Sequence, residues 1–359
     1  MEVDALLRTL VEVNGSDLHL CAGEPPAMRV HKLIRRTRLA ELTAAEISET
    51  LRRIAGPERW QRFGQDLELD FAYVVPGAGR FRVNIYQEQE GPAGCFHHIP
   101  SRVRTIDELG LPPVLKEIAG LPRGVVLVTG PTGSGKSTTL AAIIDHINKS
   151  RPIHVVTIED PVEFIHAPAM ASITQREITV DTHSFAEALR HVMRQNPDVI
   201  LVGEMRDLET IQLAITAGET GHLVFSTLHT LDAVQTVDRI VDIFDSERQE
   251  QVRAQLAITV QAVISQELLP CADGQGLVAV FEVMIATPGI RSLIRERKTH
   301  QIYTLMQGGG DVGMQTFDQH LRQLLAEGRI APEEALAKAR DPQEFAHRAQ
   351  ADLKKQEAE

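Results

Sequence analysis

The stretch GVVLVTGPTGSGKSTTL, residues 124–140, joins a continuous apolar run to a glycine-rich turn and then to the start of a helical pattern. An apolar run of this kind indicates a strand buried on both faces of a parallel sheet. The turn fits the pattern G-x-x-x-x-G-K-[ST], whose glycines let backbone N–H groups face phosphate oxygens. The sequence therefore predicts a phosphate-binding loop (P-loop) for ATP. The alternative is a chance match in a glycine-rich turn.

Within this loop the chemistry divides between two side chains and the backbone. We expect Lys136 to reach the β and γ phosphates and Ser137 to ligate Mg²⁺. The helix that follows directs its positive N-terminal end at the same anion. The predicted ATP-binding residues are Gly130, Pro131, Thr132, Gly133, Ser134, Gly135, Lys136, Ser137 and Thr138.

Two acidic positions follow neighbouring strand patterns. Glu204 ends DVILVGE (residues 198–204), which predicts a place at the carboxyl edge of the sheet, where ligands of open α/β sheets bind. We expect it to hold Mg²⁺, partly through water, or to polarise the attacking water. In TIEDPVEFIH (157–166), three carboxylates would repel one another without a cation or hydrogen bonds. Glu163 of this group is the second candidate for the general base. The alternatives are a solvated strand end and a turn-capping cluster.

From the P-loop to residue 228 the chain alternates strand and helix patterns, which predicts an α/β fold with a mostly parallel sheet covered by helices. The part from about 232 to 345 is predicted to be largely helical. Upstream, segments of period two and an amphipathic helix opened by Thr43-x-x-Glu46 predict a mixed α+β lobe. Pro92–Leu115, rich in proline and glycine, is interpreted as a linker.

These patterns predict two domains joined by a hinge. The expected bounds are an N-terminal α+β domain at 1–98, a hinge at 99–115 and an ATPase domain at 116–359.

Composition limits the function classes. The 359-residue chain has a formal net charge of −12, which argues against a general nucleic-acid binder. We find no stretch of 18 apolar residues and no signal peptide in MEVDALLRTL, so we expect a cytoplasmic location. Three widely spaced cysteines argue against a disulfide framework or a CxxC metal site.

GHLVFSTLHT, residues 221–230, contains two histidines around an apolar run. In a regular strand, His222 and His229 would face opposite ways, which weakens a shared metal site. The strand should end near Thr227 and release His229 at the phosphate edge, where it would contact the γ phosphate or the acidic residues. His222 lies at the far end. It is either functional or a residue at the strand start that is hydrogen-bonded to a neighbouring loop.

Four motifs in order resemble those of the secretion traffic ATPases (GspE/PulE-like): GPTGSGKSTTL, TIEDPVEFIH, MRQNPDVILVGEMRD and GHLVFSTLHT. The resemblance implies a PAS-like N-terminal domain, a RecA-like ATPase domain and a homohexamer with ATP between the lobes. It also implies functional roles for both histidines and for Arg80 and Arg82, which would reach the phosphates. Where the family usually has an arginine, in F-R-x-I-P, this chain has His97 before His98, Ile99 and Pro100.

Two features place the chain in the retraction branch of that family. ISQELLPCADGQG contains only Cys271, so the four-cysteine zinc module of the extension and secretion members is missing and no zinc is expected. GIRSLIRE is similar to a segment needed for pilus retraction, namely Gly289, Ile290, Arg291, Leu293, Ile294, Arg295 and Glu296.

The resemblance then implies an ATP-driven motor that depolymerises pilin and drives twitching motility. It would work at the inner membrane, at the pilus base, with a membrane platform protein. Three alternatives stay open. The chain could be an accessory paralogue of the main retraction ATPase, a secretion or DNA-uptake motor, or a nucleotide-gated scaffold with negligible hydrolysis.

Overall fold

The computed structural model describes residues 2–30, 33–99 and 102–356. Pro100 and Ser101 of the predicted hinge lie outside the described residues. Within the described part of the chain, no helix combines the length and the apolar character needed to cross a bilayer.

The chain divides into two compact units. The N-terminal unit extends to Val103 and also includes Pro161–Ile165. The other, here named the P-loop unit, contains Arg104–Asp160 and the chain from His166 onwards.

The N-terminal unit is an antiparallel sheet covered by amphipathic helices. Over the described residues its strand order is β3-β2-β1-β6-β5-β4. The predicted capping box is confirmed, because Thr43 Oγ1 accepts from the Glu46 N–H and the Glu46 carboxylate accepts from the Thr43 N–H. The elements are α1 (Val3–Glu12), β1 (Gly15–Leu20), β2 (Ala27–Val30), β3 (Leu33–Arg36), α2 (Ala44–Ala55), α3 (Pro57–Asp66), β4 (Glu68–Val75), β5 (Gly79–Glu88) and β6 (Gly91–Ile99).

The predicted linker from Pro92 was wrong in its first part. These residues form β6, which pairs with β1 on one side and β5 on the other. A proline removes only one N–H donor, so a strand tolerates it at its start, where Pro92 lies. Phe96 and Ile99 are buried. The proline and glycine content of this segment led to the linker prediction, although the segment forms a central strand of the sheet.

The P-loop unit is a sheet with the order β13-β12-β7-β11-β10-β8-β9 over the described residues. Its strands are β7 (Gly124–Thr129), β8 (His154–Glu159), β9 (Ser172–Glu177), β10 (Val199–Val202), β11 (Leu223–Leu228), β12 (Val260–Pro270) and β13 (Leu277–Ile285). Its helices are α4 (Val114–Ala119), α5 (Lys136–Ser150), α6 (Phe185–Val192), α7 (Leu208–Glu219), α8 (Ala233–Asp242), α9 (Ser246–Thr259), α10 (Pro288–Arg295), α11 (Ile302–Gln307), α12 (Phe317–Ala326), α13 (Pro332–Lys338) and α14 (Pro342–Gln356).

The predicted α/β class is confirmed for this unit. The central strands β7, β10 and β11 are buried along their whole length and run parallel. Helices α4 and α5 pack on one face of the sheet, and α6 to α11 pack on the other. The parallel strands therefore deliver their carboxyl ends to one edge, where the P-loop begins.

The region from about 232 to 345 is less helical than the sequence predicted. β12 runs parallel to β7, with Ser265 opposite Thr129, and β13 pairs with β12 in the antiparallel sense. A short continuous apolar run does not distinguish a buried strand from a buried helix by its period. Here β-branched residues such as Val263 and Ile264 favour the strand, and both are fully buried.

Candidate active site

The P-loop connects β7 to α5. Its glycines Gly130, Gly133 and Gly135 have φ values of 140°, 78° and 89°, in the range that favours glycine. A Cβ on Gly130 would lie 2.2 Å from the Gln266 carbonyl oxygen of β12. The close approach of the neighbouring strand therefore requires glycine at position 130.

Lys136 and Ser137 open α5 at the phosphate end. Lys136 Nζ donates to the carbonyl oxygens of Gly130 at 2.8 Å and Pro131 at 2.9 Å, so its ammonium lies over the loop. The first N–H groups of a helix have no acceptor within that helix and carry its positive end. Ser137 lies beside them in the first turn of the helix. This cradle of donors fits a phosphate group.

The other predicted loop residues lie on both sides of this cradle. Thr132 and Gly133 are exposed at its tip, Ser134 is buried beneath it, and Thr138 follows in the first turn of α5. Their backbone forms the curve of the loop.

The donor set also fits Mg²⁺. This ion prefers oxygen ligands, keeps several waters and needs only one or two protein groups beside the phosphates. The Ser137 hydroxyl and the Glu204 carboxylate are oxygen donors of this kind. Ser137 follows β7 and Glu204 follows β10, so both lie at the carboxyl edge of one parallel sheet.

Glu204 and His229 meet at this edge. Glu204 Oε2 lies 3.8 Å from His229 Nε2, and Glu204 Oε1 lies 2.7 Å from Arg206 Nε. Thr227 of β11 holds the end of β10, because its hydroxyl donates to the Gly203 carbonyl at 2.7 Å. The Glu204 side chain is only 19% exposed, so it is oriented by its surroundings.

His222 lies at the opposite end of the same strand. Its Nδ1 is 3.1 Å from the Ala217 carbonyl oxygen, and its own carbonyl accepts from the Gly124 N–H at 3.0 Å. At about 3.3 Å per residue, the strand between the two histidines spans roughly 20 Å. The structure therefore separates His222 from His229 and places it at a helix-to-strand turn.

The remaining predicted catalytic residues belong to the N-terminal unit. Arg80 and Arg82 occupy alternate positions of β5 and share a face of the sheet. Arg82 Nε lies 3.6 Å from Asp70 Oδ1. Glu163 lies in the Pro161–Ile165 segment of this unit, whereas Glu159 lies in the P-loop unit.

Beside these arginines lies a histidine–carboxylate pair. His97 is opposite Arg82 on one side and Asp17 on the other in the strand register. His97 Nδ1 and Asp17 Oδ1 are 2.9 Å apart. This hydrogen bond raises the pKa of His97 against the opposing effect of burial, and the charges of Asp17 and Glu163 act in the same direction as the bond. His97 therefore keeps its positive charge to a higher pH than an ordinary histidine.

One residue that contacts the P-loop was missed by sequence reasoning. Gln266 is 3% exposed, and its Nε2 donates to the Ser134 carbonyl of the loop at 2.6 Å. The sequence contains a signal for such a contact, because Ser265 and Gln266 are polar residues inside the apolar run AVISQELL. Buried polar groups need hydrogen-bond partners, so such a pair predicts a nearby partner in the fold.

The segment similar to the retraction motif forms α10 and the turn after it. Ile290 and Ile294 are fully buried, and Leu293 packs partly against the same core. Arg291 donates to the carbonyl oxygens of residues 257 and 258 at the end of α9, at 2.8 and 2.7 Å. Gly289, Arg295 and Glu296 are exposed.

A glycine-rich loop joins the buried parallel strand β7 to the helix α5. The acidic residue Glu204 follows β10, which is separated from β7 in the sheet by β11. This arrangement defines a P-loop ATPase. The family model described as "Type II/IV secretion system protein" matches residues 106–337. The chain belongs to this family. The resemblance to the secretion traffic ATPases inferred from the four motifs is confirmed.

Relatives of the whole chain are known. It is 49% identical over 345 residues to the "Type IV pilus retractation ATPase PilT" of Pseudomonas aeruginosa, covering 96% of this chain and all of that protein (100%). It is 41% identical to the "Type IV pilus ATPase PilU" of the same organism, over 94% of this chain and 89% of that one. A solved structure of the pilus retraction motor PilT with bound ADP superposes with a TM-score of 0.89. It is 42% identical, and the match covers 96% of this chain and 98% of that one.

Proposed function

We propose that this chain is an ATP-hydrolysing motor that works as a homohexamer and drives the retraction of type IV pili, and so twitching motility. The main support for this proposal is that Lys136, Ser137 and the Glu204–His229 pair lie at one edge of the sheet. The full-length similarity to a PilT retraction ATPase supports pilin depolymerisation as the work performed.

The residues of the P-loop unit divide the chemistry of hydrolysis. Backbone N–H groups of the loop and Lys136 bind the β and γ phosphates. Glu204, held by Arg206, orients or deprotonates the attacking water. Glu163, which lies in the N-terminal unit, is the other candidate for this role. His229, 3.8 Å from Glu204, senses whether the γ phosphate is present.

Ser137, and Glu204 partly through water, would hold Mg²⁺, which would supply positive charge that neutralises the phosphates. Arg80 and Arg82 of the N-terminal unit are proposed as further donors to phosphate oxygens, with charge that persists at any working pH. Catalysis of this kind is mainly positioning and electrostatic stabilisation.

The proposed setting is the cytoplasmic face of the inner membrane at the pilus base. The proposed partner is the membrane platform protein, and the exposed part of residues 289–296 is the proposed contact. Because Ile290 and Ile294 pack into the core, the contact is assigned to Gly289, Arg295 and Glu296.

A second candidate is an accessory retraction ATPase. The 41% identity to PilU over 94% of the chain favours it over a secretion motor, a DNA-uptake motor or a nucleotide-gated scaffold. The test uses a strain that lacks its own retraction ATPase and the paralogue. Restored twitching by this chain alone supports the main motor. Restoration only together with a main motor supports the accessory role.

ATP turnover is the direct test of the enzyme. Lys136→Ala and Glu204→Ala should each lower kcat by at least about 100-fold, because each removes charge stabilisation or water activation from the transition state. Phosphate release is measured at saturating ATP, and light scattering gives the mass of the assembly. Wild-type turnover no higher than that of both variants would overturn the proposed activity.

A further inference from the structure

A buried acidic residue that the proposed mechanism does not use lies on β13. Glu282 is only 3% exposed. Its backbone is paired with Ser265 of β12, whose hydroxyl accepts a hydrogen bond from Thr129 of β7 at 2.8 Å. Glu282 is therefore two strands from the strand that leads into the P-loop.

The Glu282 carboxylate joins the starts of two helices. The Ala233 N–H, at the first residue of α8, donates to Glu282 Oε1 at 2.9 Å. The backbone N–H of Phe317, at the first residue of α12, also bonds to this carboxylate. Both N–H groups belong to the set that a helix leaves without internal acceptors. One side chain thus ties α8 to α12.

Charges of both signs act on the Glu282 carboxylate. Asp232 before α8 and Arg340 before α14 act on it with opposite sign, and Tyr303 of α11 lies close enough for the charge of Glu282 to affect it. Burial raises the pKa of Glu282 to about 7. An ionisable group in such a place costs stability that a neutral side chain would not.

The helix that Glu282 holds, α8, begins shortly after the histidine of the active site. Only three residues separate His229 from Ala233. Both sides of this short connection are anchored: the Thr230 and Thr236 hydroxyls are 2.6 Å apart, and Asp232 Oδ1 accepts from the Gln235 N–H at 2.7 Å. A shift of the start of α8 is therefore transmitted to His229.

We propose that Glu282 is a positioning residue for ATP hydrolysis, which fixes the start of α8, and with it His229 beside Glu204, to the C-terminal helix α12. The inference rests on the proposed ATPase function. Through this one carboxylate, motion of the C-terminal helices is coupled to the position of His229.

The first test compares Glu282→Gln with Glu267→Gln. Glutamine keeps one acceptor oxygen but replaces the other with an N–H₂ group, which cannot accept from a helix N–H. We expect kcat to fall about tenfold through misplacement of His229, with the KM for ATP unchanged within about twofold. Glu267 is a matched control, because it links β12 to Lys338 of α13 and not to α8. Its variant should keep both constants.

A double-mutant cycle separates positioning from general damage. If Glu282 acts through His229, Glu282→Gln should lower kcat no further in a His229→Ala background. An equal loss of kcat in both backgrounds would overturn the proposal. Should Glu282→Gln fail to fold, Glu282→Asp takes its place in the cycle, with a smaller expected loss and the same criterion.

A measurement without ATP keeps this inference distinct from the proposed function. In histidine-labelled protein at one fixed pH, the NMR chemical shifts of the His229 imidazole should change in Glu282→Gln and stay as in wild type in Glu267→Gln. Changed chemical shifts in a protein without turnover would refute the ATPase proposal and support the positioning role. Unchanged chemical shifts of His229 in Glu282→Gln would refute the positioning role.

Discussion

Among the described residues, two histidine–carboxylate pairs differ in construction. In the N-terminal unit, His97 and Asp17 are 2.9 Å apart on neighbouring strands, and Asp17 also lies 3.3 Å from Arg29. In the P-loop unit, His229 and Glu204 are 3.8 Å apart, beyond hydrogen-bond distance, on connections that follow two parallel strands.

The difference between the two pairs follows from the geometry of antiparallel and parallel sheets. Antiparallel register places side chains of adjacent strands opposite one another, so the first pair is held at hydrogen-bond distance by the strands themselves. Parallel strands gather their carboxyl ends, so the second pair arises at an edge where a ligand binds. A tight pair stabilises a local charge, and a looser pair can rearrange around a nucleotide.

The largest effect is expected when the second pair, His229–Glu204, is broken. His229→Ala should lower kcat by about 100-fold if the imidazole acts in proton transfer or γ-phosphate sensing. His222→Ala is the matched control at the other end of the same strand and should leave kcat within about twofold. Steady-state phosphate release checks both variants. Equal losses would show that the position of His229 at the sheet edge has no special importance.

A medium effect concerns the pH dependence of the first pair. Because the pKa of His97 is raised by its bond to Asp17, its charge is kept below that raised pKa and lost as pH rises through it. If this charge assists hydrolysis, wild-type kcat should fall several-fold between about pH 6.5 and 8.5. His97→Arg should remove the decline, since arginine stays protonated. Identical profiles for both proteins would dismiss a role of His97 in turnover.

The smallest effect is on stability. Burial opposes the lowering of the Asp17 pKa, but hydrogen bonds from His97 and Ser16 outweigh it. The pair thus stabilises the fold when Asp17 is ionised and His97 protonated. This contribution disappears as pH falls through the lowered pKa of Asp17 or rises through the raised pKa of His97.

Asp17→Asn should therefore destabilise the protein more at pH 5.5 than at pH 9. The His97 side chain is 54% exposed, so solvent screening limits the difference to about 0.5 kcal/mol. Urea unfolding at the two pH values measures it. The control Asp70→Asn removes a partner of Arg82, which is charged at both pH values, and should show no such difference.

Much of the site was predictable because its parts are local. The P-loop lies in one run of residues, and Glu204 and His229 each closely follow an apolar strand pattern whose parallel direction places them at one edge. Gln266 and Glu282 were not predictable in the same way. Each lies inside an apolar run, and its partner is more than 45 residues away in sequence, at Ser134 and Ala233 respectively.

The amino-acid sequence by itself determined the fold class, the P-loop and the family, because each depends on short-range period, glycine spacing and turn chemistry. Tertiary structure alone decided that Pro92–Ile99 is a central strand and that β12 and β13 extend the main sheet. It also decided the partners of the buried Gln266 and Glu282, which are Ser134 and Ala233. The physical reason is that strand pairing and the satisfaction of buried polar groups join residues distant along the chain, and no local pattern records those partners.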